Sequence, residues 1–168
     1  MNTGQLLLSL GAIMLLSLVV LRQNGDYLGT GDSLLESKLG IMAVSEAAST
    51  MEQVSRLAFD EHSKDSTFTG LLSDLTPPGA LGPDAGEDSV QKFNDIDDYN
   101  GYTRFDQTDV GDFQIRCRVA YIDPSSPDVD YTAGPTWHKK VTVTVFGPQP
   151  ALKDSIQYST ILSYWSFR

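Results

Sequence analysis

Apolar and polar positions divide this chain into three unlike stretches. Residues 1–21 carry no charged side chain, and Leu6–Leu21 is broken only by Ser9, Gly11 and Ser17. A helix of that length spans roughly 32 Å, which matches the roughly 30 Å hydrocarbon core of a bilayer. The stretch from Gln23 to Asp32 then reads Q-N-G-D-Y-L-G-T-G-D. Each glycine costs about 1 kcal/mol against alanine inside a helix, so Gly25, Gly29 and Gly31 predict an extended break. A second helix is expected to start at Ser33-Leu34-Leu35-Glu36, a capping box preceded by Asp32. Leu35, Leu39, Met42, Ala43, Ala47, Met51, Val54 and Leu57 recur mostly at three- and four-residue steps, which predicts one apolar face as far as His62.

Residues 63–92 are rich in proline, glycine and acidic side chains and read as a long connection in which Gly70-Leu71-Leu72 touches the sheet. Beyond them the period changes to two. Phe113, Ile115, Cys117, Val119 and Tyr121 alternate with more polar residues. So do Val141, Val143 and Val145, starting from Lys140, and then Ile156, Tyr158, Thr160, Leu162 and Tyr164. Such alternation marks antiparallel strands covered on one face. Asp123–Trp137 holds three prolines and a glycine and reads as a surface loop. The fold class expected is α+β: a long N-terminal helix with a hydrophobic half, a glycine-rich break and an amphipathic half packed on a small antiparallel sheet. The divisions are 1–22, a hydrophobic filament-core or transmembrane helix; 23–32, the break; and 33–168, the head domain.

Charge and chemistry narrow the function. The net charge is −10, which disfavours a phosphate backbone as partner, so no nucleic acid is expected. A single cysteine, Cys117, excludes an internal disulfide and fits a buried strand position. His62 and His138 have no spaced partners, and no nucleophile, phosphate-loop or zinc motif is present. The chain reads as a structural protein and not an enzyme, with no catalytic residue and no required cofactor. One cluster carries two readings. Asp95, Asp97, Asp98 and Asn100 crowd hard oxygen atoms into six residues before Gly101. They supply either Asx-type turns or ligands for one calcium ion, without the closing glutamate of an EF-hand.

The first residues hold no lysine or arginine, and no small-residue cleavage site follows the apolar run, so a removed signal peptide is not expected. Arg22 lies after the span, as it would if a basic leader had already been removed. An uncharged helix, a break, an amphipathic helix and a closing sheet together resemble the type IV pilin-like superfamily of pilins, minor pilins and pseudopilins. The string Asp95-Ile96-Asp97-Asp98-Tyr99-Asn100-Gly101 is similar to a segment of minor pilins of the mannose-sensitive haemagglutinin group. Lys140–Pro148 and Ser155–Trp165 are similar to the closing strands of such subunits.

The resemblance implies a subunit that is membrane-inserted before assembly and extracellular afterwards, in a helical filament or fimbrium on the cell surface. Its partners would be copies of itself and the inner-membrane assembly machinery, and adhesion is among the roles such fibres serve. The polymerisation core would be Gln5, Leu6, Leu7, Leu8, Leu10, Ile13, Met14, Leu15, Leu16, Leu18, Val19, Val20 and Leu21. Gln5 stands where the family carries glutamate, and the family's C-terminal disulfide is absent. Two other readings stand beside the pilus subunit. One is a low-copy pseudopilin or minor pilin. The other is a single-span anchored binding domain that never polymerises.

Overall fold

The computed structural model describes residues 2–64, 68–131, 133–152 and 154–167. Met1, which the sequence places in the first helix, lies outside them. The chain divides into two compact units, residues 1–38 and 39–168. One helix, α1, runs through both from Thr3 to Ser55.

The expected break at Gln23–Asp32 is therefore absent. Gly25, Gly29 and Gly31 are all helical, and a Cβ added at any of them would meet nothing within 4 Å. The physical reason is cooperativity. Interrupting a helix sacrifices several backbone hydrogen bonds and requires a second costly nucleation, against about 1 kcal/mol for each glycine. The capping box is unused for the same reason. Ser33 Oγ donates to the Gly29 carbonyl at 3.0 Å and Thr30 Oγ1 to that of Asp26 at 2.8 Å, both back along the same helix. Among the described residues 2–38 every side chain is exposed.

Within the second unit the amphipathic part of α1 behaves as its spacing predicts. Leu39, Ala43, Ala47, Thr50, Met51 and Val54 are buried, one stripe at helical steps. The helix ends at Ser55, earlier than His62, and residues Glu61–Lys64 form a separate 3-10 turn. Leu71 and Leu72 are exposed, and Leu75 takes the buried place expected for them.

Among the described residues five antiparallel strands follow: β1 Thr103–Thr108, β2 Gly111–Asp123, β3 Ser126–Asp130, β4 His138–Phe146 and β5 Ile156–Ser163. The order across the sheet is β1-β2-β4-β5, with β3 paired to the far end of β2. The three strands read from alternation are β2, β4 and β5. Strand β1 carries mostly polar residues and so shows no apolar alternation, and β3 lies inside the stretch expected to be loop. The inward rows of β2 and β4 face one another in register as Ile115–Val145, Cys117–Val143 and Val119–Val141. These side chains join the helix stripe in one core with Phe59, Ile96, Tyr99 and Phe113. Cys117 is buried there, and burial pushes its thiol up to about 12. Tyr158 on the edge strand β5 is exposed, against the inward position its alternation gave it.

The three glycines near the middle of α1 carry only a backbone penalty. Replacing Gly25, Gly29 and Gly31 together by alanine should stabilise that helix by up to about 1 kcal/mol per site. Helix content and its thermal loss, followed by far-UV circular dichroism of the full chain in detergent, measure it. A fall in helicity would show that the glycines serve a bend.

Candidate functional site

Two features carry chemistry, one in each unit. The first is the apolar surface of α1. Between Leu6 and Leu21 every leucine, isoleucine, valine and methionine is exposed, Leu8 by 77% and Leu15 by 66%. The surface is apolar all round the helix, unlike the single stripe at Leu39–Val54. Ser9 and Ser17 do not interrupt it, because their hydroxyls donate to the carbonyls of Gln5 and Ile13 one turn earlier. The helix is long and apolar enough to cross a membrane, with a mean hydropathy of 2.3 in its most apolar window. Gln5 lies in the first turn, where its backbone N–H donates to the Asn2 carbonyl at 2.9 Å.

The second feature is built around the acidic cluster. Just past the end of α1, Ala58 pairs with the loop through Ala58 N–H to Asn94 O and Ile96 N–H to Ala58 O. This bridge sets Phe59 and Asp60 beside Asp95–Asp98. Asp95 and Asp98 are turn-formers. The Asp95 carboxylate accepts the backbone N–H groups of Glu61, Asp97 and Asp98, and the Asp98 carboxylate those of Asn94 and Asp95. Asn100 accepts the Val119 N–H and donates to the Leu81 carbonyl, tying the loop to β2. Gly101 follows at φ +81°, the left-handed conformation that glycine adopts without a Cβ clash. Phe93, Tyr99 and Tyr102 pack edge to face around the loop.

The structure describes the turn-forming reading of this cluster: Asp95, Asp98 and Asn100 accept backbone N–H groups, and Asp97 faces a lysine. Among the described residues no group of three His, Cys, Asp or Glu side chains is placed to hold a metal ion.

Lys139 is the residue that sequence reasoning missed. It is fully buried. Its Nζ donates to the Phe59 carbonyl at 2.6 Å, to Asp60 Oδ2 at 3.1 Å and to Asp97 Oδ1 at 2.5 Å. The Phe59 and Tyr121 rings enclose it, with centroids 4.8 and 5.3 Å from Nζ. Asp60 is fully buried too. It accepts the Thr76 N–H at 3.1 Å, the His62 N–H at 3.2 Å and the Tyr121 hydroxyl at 3.3 Å. The missed signal was parity. Positions 139, 141, 143 and 145 share one face of β4, and Lys139 stands opposite Tyr121 in the row that holds Val141–Val119. A lysine continuing an apolar row had to meet buried carboxylates.

Burial away from water raises the proton affinities of the loop carboxyls Asp95, Asp97 and Asp98. Burial first, then the neighbouring Asp97 charge, pushes Asp95 up to about 7. Burial pushes Asp98 up to about 6, in spite of the N–H groups it accepts. Asp97 is also raised by burial, with Lys139 pulling the other way.

No protein-family model, no curated protein and no solved structure matches this chain.

Two outcomes follow from the buried lysine and its acids. Lys139→Met leaves Asp60 and Asp97 buried without a cation, and should destabilise the second unit by about 3–5 kcal/mol. Tryptophan fluorescence in denaturant reads this, because both tryptophans lie in that unit. The pH dependence has a definite sign. Asp95 and Asp98 bind protons more tightly folded than unfolded, so the folded state holds more protons between their ordinary 3.8 and about 6–7. Their contribution to stability is full below that window and is lost as pH rises through it. Melting temperature should fall over this range, and Asp95→Asn should flatten the fall. A profile that rises instead would contradict the burial argument.

Proposed function

We propose that this chain is a structural subunit that polymerises through its N-terminal helix into an extracellular filament of the type IV pilus kind. The observation that carries the reading is the all-round apolar, exposed surface of α1 between Leu6 and Leu21. Twelve large apolar side chains stand there without cover. At about 1.5–3 kcal/mol each, leaving them in water costs on the order of tens of kcal/mol. Lipid relieves that cost before assembly, and helices of neighbouring copies relieve it afterwards.

Further features support the polymer over a simple anchor. Gly4, Ser9, Gly11, Ala12 and Ser17 are small residues that let helix backbones approach closely. At Gly4 and Gly11 the space a Cβ would take is open within the chain. A single span needs only about 20 residues, whereas α1 continues as helix from the apolar run to the start of the packed stripe at Leu39. Subunits related by a head-to-tail operation that does not close would give an open helical fibre. Calcium is not needed in this scheme.

Leu15→Asp tests it. A carboxylate in a dry helix bundle costs several kcal/mol and is repeated in every subunit. Filaments seen by electron microscopy of sheared surface material should disappear, while tryptophan fluorescence of the second unit stays native. Filaments that tolerate the charge would exclude this helix from the core. A wild-type protein that stays in the membrane and yields no fibre would establish the anchored-domain reading instead.

A further inference from the structure

Lys139 Nζ is held in a pocket without exposed surface, between two carboxyl groups and two aromatic rings. The two acids differ in their other partners. Asp60 is anchored as a hydrogen-bond acceptor by Thr76, His62 and Tyr121. Asp97 has Lys139 on one side and on the other the carboxyl of Asp95, whose Oδ1 accepts the Asp97 N–H at 2.9 Å. An amine held against a carboxyl group, with a second carboxyl on the acceptor and a third beside the amine, has the parts that direct amide formation needs.

We propose that Lys139 and Asp97 become joined by an intramolecular isopeptide bond that staples the acidic loop to β4.

The step balances without a co-reactant. Lys139 Nζ gives one proton to Asp60, 3.1 Å away, and its freed lone pair attacks Cγ of Asp97. Asp95 passes its proton to an Asp97 oxygen and takes back one from the nitrogen. The new C–N bond forms, one C–O bond breaks, and the departing hydroxide leaves as water with the proton from Asp60. Both assisting carboxyls return to their starting state, and nothing is oxidised or reduced. The Phe59 and Tyr121 rings exclude the water that would reverse the reaction. The bond would connect residues 42 positions apart, so that the acidic loop and β4 could no longer separate.

Intact mass spectrometry of the full chain, purified in detergent, reads the product directly. The wild type should lie about 18 Da, one water, below the mass of its sequence. Proteolysis should release a branched peptide that joins the Lys139 segment to the Asp97 segment. Lys139→Arg and Asp97→Ala should each restore the sequence mass. The wild-type measurement stands whether or not these variants fold. A folded wild type at its full sequence mass overturns the proposal. So does the same loss traced to a linear succinimide, and a branch at Asp60 overturns the choice of acceptor.

Discussion

An ammonium group stripped of water has to be matched by charge and hydrogen bonds at once, and the second unit is arranged around that need. Lys139 sits where the inward row of β4 would otherwise place a fourth aliphatic side chain. Its three donors reach the chain just beyond α1, at the Phe59 carbonyl and Asp60, and the acidic loop, at Asp97. Two segments far apart in sequence are thereby fixed to one strand. Replacement of such a network by apolar residues is often neutral for stability, but removal of one partner is not. The network is complete only in the arrangement in which helix end, loop and strand meet.

The same demand explains the acidic loop. Asp95 and Asp98 face inward and spend their oxygens on backbone N–H groups that no strand or helix serves. Crowding these carboxyls out of water raises their proton affinity. Protonation, a lysine and N–H donors then take the part a cation would play. A stretch that reads as a metal loop from spacing alone can thus be a folding device.

The first unit follows the opposite rule. No polar side chain along Leu6–Leu21 is left to be matched, because its two serine hydroxyls are satisfied by their own helix. The surface has no partner among the described residues, and leaving it in water is costly. In one polypeptide, a buried polar knot lies inside one compact unit and the other is an unburied apolar helix long enough to cross a membrane.

Local pattern determined much of this protein. The apolar run, the stripe Leu39–Val54 and the alternating strands β2, β4 and β5 were legible because 3.6- and two-residue periods report directly which side chains share a face. The α+β class followed from their order. The continuity of α1 through Gly25, Gly29 and Gly31 was not legible, because propensity scores residues singly while a helix is held cooperatively from both sides. Strand β1 was hidden by its mostly polar sequence, and β3 by its proline and acidic residues. The fate of Asp95, Asp97 and Asp98 was decided only in three dimensions. Carboxylates look alike in sequence whether they face solvent, a metal or an ammonium, and Lys139 lies 42 residues from Asp97 in the chain. Only the registration of β4 against β2, and of the loop against the end of α1, brought that charge to them.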